Sequence, residues 1–167
     1  MNNYEAQTNE YDNESSAVTQ SYNYVLPSMK VYATAGAKLP TVSTKGSGGL
    51  DLYIYDFTVQ DNQITIFTGI HMEIPQGHVG LIMPRSSTGM NGFSLKNTVG
   101  VIDADYRGEI CLVCDRFDNE EVVIQNGARI AQLIIVPVCP YPIEQVSSLE
   151  DLSDTERGAN GFGSTGV

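Results

Sequence analysis

Gln63-Ile-Thr-Ile-Phe-Thr-Gly-Ile-His-Met-Glu-Ile-Pro-Gln-Gly-His-Val-Gly-Leu-Ile-Met83 decides the fold class. Three short apolar or alternating runs sit inside it: Gln63–Phe67, His71–Ile74 and Val79–Met83. Glycine and proline separate them. Alternation of apolar and polar residues is the period of a half-buried strand, and runs this short are too brief for helices. Isoleucine, threonine and valine fit a pleated surface. The stretch therefore reads as three successive strands joined by tight turns.

The same texture continues on both sides. Lys30–Ala33, Leu50–Tyr55, Val99–Ile102, Glu109–Asp115, Glu121–Ile124 and Arg129–Val138 are all short runs bounded by turn residues. No segment shows helical periodicity, although one turn near Ser87–Met90 is compatible with a helical turn. An all-β sandwich, jelly roll or barrel is predicted. Residues 1–28 differ: four acids, no Lys or Arg, and no apolar period, which reads as a disordered acidic and polar extension, passive or able to engage a partner. The expected organisation is a 1–28 extension, a 29–140 β core, a 141–156 connector and a 157–167 arm.

The net charge of −11 argues against a broad basic face for nucleic acid or anionic membranes. A small polyanion stays possible, because a few arginines and a metal ion reverse the sign locally. No apolar run reaches membrane-spanning length and the start lacks a signal-peptide pattern, so a soluble intracellular protein, of cytoplasm or nucleus, is expected. Three cysteines cannot form a full disulfide framework. Cys111 and Cys114 resemble half a metal site, but on a strand residues three apart face opposite ways. Buried, inert thiols are expected. His71 and His78 have no ligand spacing and read as structural or exposed.

Five segments are candidates for chemistry. Taken singly, Arg85 reads as a surface ion pair, Asp103 as a turn former, Tyr106 as a core filler and Gln132 as a hydrogen-bonded strand residue. Gly46-Ser-Gly-Gly-Leu-Asp-Leu52 delivers Asp51 into a strand, and Pro84-Arg-Ser-Ser-Thr88 ends a strand with an arginine and hydroxyls suited to an anion. Asn97-Thr-Val-Gly-Val-Ile-Asp-Ala-Asp-Tyr-Arg-Gly108 ends a strand in a turn bearing Asp103, Asp105, Tyr106 and Arg107. Gly127-Ala-Arg-Ile-Ala-Gln-Leu133 opens a buried strand with Arg129 and Gln132. Arg157-Gly-Ala-Asn-Gly-Phe-Gly-Ser-Thr-Gly-Val167 cannot pack a core. Its glycine-freed N–H groups, guanidinium and hydroxyls suit phosphate oxygens, and its ring suits a flat base. Eleven extended residues reach at most about 40 Å.

In this order the five segments resemble the motifs of the trimeric dUTPase (deoxyuridine triphosphate nucleotidohydrolase) family, over roughly Met29 to Gly166. The resemblance implies a dUTPase-like jelly-roll or β-clip barrel, a homotrimer with shared sites, and a mobile glycine-rich arm. It implies Mg²⁺-assisted hydrolysis of dUTP to dUMP and pyrophosphate, which limits uracil in DNA and supplies dUMP for dTTP synthesis. Asp103 would aim the attacking water at the α-phosphate. Tyr106 would lie under the deoxyribose and exclude a 2′-hydroxyl. Asn97 and the Gly100–Cys111 hairpin, with Gly100, Val101, Ile102 and Cys111, would read uracil. Arg85, Ser86, Ser87 and Gln132 would hold the inner phosphates. Phe162 would stack on uracil, Arg157, Ser164 and Thr165 would close on the γ-phosphate, and Gly163 would also contact the substrate. Mg²⁺ would sit on triphosphate oxygens and waters, with Asp51 in a scaffold or outer-shell role and no direct protein ligand.

Three departures stand out. Leu50 replaces the family's usual bulkier residue. Ala128 replaces an aspartate, which would remove a local ion pair of Arg129 and leave Gln132 intact. Ser87 and Thr88 replace Gly-Leu, which would add hydroxyls beside the phosphates. Rival readings are a dCTP deaminase of the same superfamily, which would need a glutamate base and lacks the aromatic arm, and a binding or regulatory protein on the same fold.

Overall fold

The computed structural model describes residues 28–88, 92–117 and 124–160. Residues 1–27, the Glu121–Val123 part of one expected strand, the end of the Ser87–Met90 turn, and Phe162, Gly163, Ser164 and Thr165 lie outside the described residues. Among the described residues ten strands follow in order: β1 Lys30–Ala33, β2 Leu50–Tyr53, β3 Asp56–Gln60, β4 Gln63–Phe67, β5 Ile70–Glu73, β6 His78–Pro84, β7 Phe93–Leu95, β8 Gly100–Ile102, β9 Cys111–Arg116 and β10 Arg129–Pro137. A 3₁₀ turn at Leu149–Asp151 lies in the C-terminal connector. Among the described residues no helix is long and apolar enough to cross a membrane.

The strands form one two-stranded sheet, β1-β5, and two four-stranded sheets, β2-β10-β6-β8 and β3-β4-β9-β7. Every ladder is antiparallel. Alternation does what the sequence requires of it. In β4, Ile64 and Ile66 are fully buried while their neighbours are partly exposed. They meet Leu112 and Cys114 of β9, Phe93 and Leu95 of β7, and Leu52, Ile82 and Leu133 from the other large sheet in one core. The smaller sheet adds Ile70 and Met72.

β10 departs from strict alternation. Its register against β2 shifts between Arg129 and Ala131, so Ile130 and Ala131 are both buried. An extra residue in one strand re-aims the side chains beyond it. Here it lets Ile130 join the core and keeps Arg129 on the opposite side, toward Asp51.

Two strands are not evident in the sequence. β3 is an edge strand whose residues are mostly exposed, and β7 has three residues. Gly100–Cys111 is a correction: it is not a hairpin. β8 pairs with β6 and β9 pairs with β4 and β7, so this segment crosses from one four-stranded sheet to the other.

Ile66→Ala deletes a side chain with no exposed surface from the joint of both large sheets. It should lower unfolding free energy by about 2–5 kcal/mol, read as a shifted urea midpoint at fixed protein concentration. A midpoint equal to that of the parent protein would contradict this core.

Candidate active site

The crossing from β8 to β9 opens a cavity of about 440 Å³ between the two large sheets. Its walls bring together Asn97, Gly100, Val101, Ile102, Asp103, Tyr106 and Cys111, with Leu95 and Ile82 at its base. That volume is within the usual range for a small-molecule site. The mixture is apolar side chains, strand backbone, one amide, one carboxylate, one phenol and the Lys96 side chain.

Asp103 leaves β8 into a turn closed by the Tyr106 N–H donating to the Asp103 carbonyl at 3.1 Å. Its side chain is exposed. Tyr106 remains 43% exposed and donates its hydroxyl to the Glu109 carbonyl at 2.9 Å. A Cβ on Gly108 would fall on the Tyr106 hydroxyl, so the glycine is needed for the ring to occupy its place. Arg107 Nη1 donates to the carbonyls of Ala104 and Tyr106 at 2.7 and 2.8 Å, bracing the same turn.

Asn97 is set by a strained turn. Thr98 has φ +58°, and the Val99 N–H donates to the Asn97 carbonyl at 2.5 Å. A two-residue hydrogen bond around a positive-φ residue is the rare form of γ-turn. For a β-branched residue this is a genuine outlier. Strain of this kind concentrates where geometry serves a ligand.

The arginines form a second cluster. Asp51 is 7% exposed and on the face of β2 opposite Leu52. Arg85 Nε contacts its carboxylate at 2.8 Å, Arg129 Nη1 at 3.3 Å, and the Ser43 hydroxyl donates to it at 2.6 Å. Burial alone would raise the Asp51 carboxyl. The Ser43 hydrogen bond and the two guanidinium charges outweigh that and hold it below its ordinary value. Arg85 spends only Nε on the pair, and its two terminal nitrogens make no bond among the described residues. Gln132 is paired across the ladder with Asp51 and donates Nε2 to the Pro84 carbonyl at 3.1 Å. Arg85, Ser86, Ser87 and Gln132 thus gather around the end of β6, and none lines the 440 Å³ cavity.

Arg157 lies on neither cluster; its Nε donates to the Asn160 carbonyl at 3.0 Å in the exposed C-terminal segment.

Ala128 offers Arg129 no adjacent carboxylate, and Asp51 supplies one across the sheet. Two expectations need correction. The Thr88 hydroxyl does not face an anion. Thr88 is buried, donates to the Ile130 carbonyl at 3.1 Å and accepts from the Arg85 N–H at 2.8 Å, so it fixes the turn that carries Arg85. The thiols are not uniformly buried: Cys111 and Cys139 are exposed and Cys114 is buried. Burial, with the Asp115 charge adding, pushes the Cys114 thiol up to about 12. Burial and then Glu109 push Cys111 up as well. Neither offers a ready thiolate. His71 Nδ1 bonds the Arg107 carbonyl at 3.0 Å, a link to the turn after β8 that motif spacing could not show.

The dUTPase family model matches residues 35–166. The deoxyuridine 5′-triphosphate nucleotidohydrolase of Hydrogenobaculum sp. is 41% identical over 135 residues, spanning 78% of this chain and 92% of that protein. The same-named protein of Caldanaerobacter subterraneus is 40% identical over 147 residues, spanning 83% and 97%. Among solved structures, the Staphylococcus bacteriophage 80alpha dUTPase with dUpNHpp superposes with TM-score 0.72 at 28% identity, covering 85% of this chain and 100% of that one.

The Asp51 clasp has a pH signature. A carboxylate held below its ordinary 3.8 stabilises the fold fully above that value and loses the contribution as pH falls below it toward the native one. Asp51→Asn should be less stable than the parent protein at pH 7, with the gap narrowing below about pH 4. Thermal melts across pH 2.5–7 check this; a gap that widens on acidification would contradict it.

Proposed function

This chain belongs to the dUTPase family, and on that premise we propose how its own residues carry out the reaction. It hydrolyses dUTP to dUMP and pyrophosphate. The observation that carries the residue assignment is the cavity at the sheet crossover, which Asp103, Tyr106 and Asn97 line together with strand backbone.

Uracil enters between β8 and the start of β9. Asn97 and backbone groups from Gly100 to Ile102, with Cys111 opposite, read its edge. A backbone donor facing uracil O4 would meet a donor in cytosine, and sites built on hydrogen bonds reject such mismatches by about 10⁴ or more. Tyr106 underlies the deoxyribose and leaves no room for a 2′-hydroxyl. Asp103, exposed at the mouth, accepts a hydrogen bond from water and orients it toward the α-phosphate. Most of the acceleration comes from placement and charge neutralisation.

Arg85, Ser86, Ser87 and Gln132 hold the inner phosphates. Asp51 fixes Arg85 through Nε and leaves the terminal nitrogens to fork onto phosphate oxygens. This cluster and the uracil cavity are separate on one chain, which supports a homotrimer whose sites draw on neighbouring copies. The connector supports it too: Tyr141, Ile143 and Leu149 are each more than 80% exposed, apolar side chains left without cover among the described residues. Arg157, Phe162, Gly163, Ser164 and Thr165 then close over a nucleotide and expel water.

Mg²⁺ fits as an ion carried by the nucleotide. Among the described residues no three His, Cys, Asp or Glu side chains converge on one point, and Asp51 is already committed to two arginines. Triphosphate oxygens and waters are ligands that Mg²⁺ commonly takes. When bound it neutralises charge on the phosphates. A mutant dUTPase of phage phi11, at 23% identity alike in fold, coordinates a structural Mg(II) ion.

Asp103→Asn should lower kcat by about 10²-fold or more while dUTP still binds. Pyrophosphate release and calorimetric titration check it; near-normal kcat would displace Asp103 from this role. The parent protein with Mg²⁺ should release pyrophosphate from dUTP far faster than from dCTP, dTTP or UTP. Ammonia from dCTP would instead identify a deaminase.

A further inference from the structure

We infer that Glu109 is a positioning residue for sugar selectivity, clamping the turn that places Tyr106. The inference rests on the reading of Tyr106 as the platform beneath the deoxyribose.

Glu109 grips two things at once. Its Oε1 accepts the Gly69 N–H at 2.7 Å, and its backbone carbonyl accepts the Tyr106 hydroxyl at 2.9 Å. The first bond reaches the scaffold and the second reaches the ring. Gly69 is a firm anchor. It connects β4 to β5 at φ +66°, and a Cβ there would collide with Ala37 and press on the Tyr55 ring. Its N–H therefore has one direction to offer.

Flanking bonds make the anchor rigid. The buried Thr68 hydroxyl donates to the Ile110 carbonyl at 2.7 Å, and the Ile110 N–H donates to the Ile70 carbonyl at 2.8 Å. Together these tie residues 109–110 to residues 68–70 on both sides of the Glu109 contact. The ring itself is not packed into the core; Tyr106 is 43% exposed. Its place depends on the hydroxyl bond and on the missing Cβ of Gly108.

Glu109 is an unusual choice for this task. It is only partly exposed, and among the described residues no Lys, Arg or His forms an ion pair with it. What the site uses is the acceptor and not the charge. A glutamine, with one amide oxygen in the same place, should serve as well.

Sugar selectivity is the property that responds. A 2′-hydroxyl is excluded only while the ring stays against the sugar. A ring released from the Glu109 carbonyl can tilt, and UTP gains on dUTP. Loss of folding alone would scale both substrates together and leave their ratio unchanged.

The experiment measures kcat/KM for dUTP and UTP with Mg²⁺ on the full chain and on Glu109→Ala, Glu109→Gln, Tyr106→Phe and Tyr106→Ala. Glu109→Ala and Tyr106→Phe should each lower the dUTP-to-UTP ratio by about threefold to tenfold, the worth of one ordinary hydrogen bond. Glu109→Gln should stay within about twofold of the parent protein. A parental ratio in Glu109→Ala overturns the inference, as does a Gln variant as relaxed as the Ala variant. Should Glu109→Ala fail to fold, a parental ratio in Tyr106→Phe overturns it. A parent protein inert on dUTP would instead sink the functional reading, and a parental ratio in Tyr106→Ala would sink the platform role of Tyr106. A relaxed Tyr106→Ala beside parental Glu109→Ala and Tyr106→Phe would sink the clamp alone.

Discussion

β8 and β9 are neighbours in sequence but belong to different sheets, so residues 103–110 must bridge the gap between two hydrogen-bonded systems. Backbone that leaves one ladder before joining another has polar groups to satisfy. Some are satisfied inside the bridge, by the Tyr106 N–H on Asp103 and by Arg107 on two carbonyls. Others go to the β4–β5 link and the start of β5, through Thr68, Gly69, Ile70 and His71. The core on either side fixes the two ends of the bridge, and the cavity is the space it spans. Asp103 and Tyr106 are where they are because the chain has to cross there.

The arginine cluster obeys a different constraint. A carboxylate as buried as Asp51 needs partners, and it has two guanidiniums and a hydroxyl. In return each arginine is held at one point and kept from collapsing elsewhere. An arginine anchored by Nε presents its remaining donors as a fork, the geometry that suits phosphate. One motif's aspartate thus prepares another motif's arginine, and Thr88 fixes the backbone between them.

Much of this was legible in the residues. β4 matches its expected bounds because Gln63–Phe67 alternates cleanly and both isoleucines face the core. Six cavity residues between Asn97 and Tyr106 were legible together because they fall in one segment of the sequence, with Cys111 following, whereas Ile82 comes from a different strand. β3 was not, for an edge strand needs no apolar face of its own. Nor was the sheet crossing, because a strand-turn-strand pattern does not say which partners the strands take. Thr88 and Ala128 show a further limit. Whether a hydroxyl faces a ligand or a carbonyl, and which acid answers an arginine, depend on residues more than 40 positions away. Spacing along one segment carries no trace of them.

The irregularity in β10 bears on how this chain can change. Removing a single residue near Ile130 would straighten the strand, yet every side chain on one flank of it would swap sides. Arg129 would turn away from Asp51, or Ala131 and Leu133 would turn away from the interior. The strand is therefore open to replacement of its residues but closed to loss of one. Length variation in the lineage should be pushed outward, to the loops and the two ends.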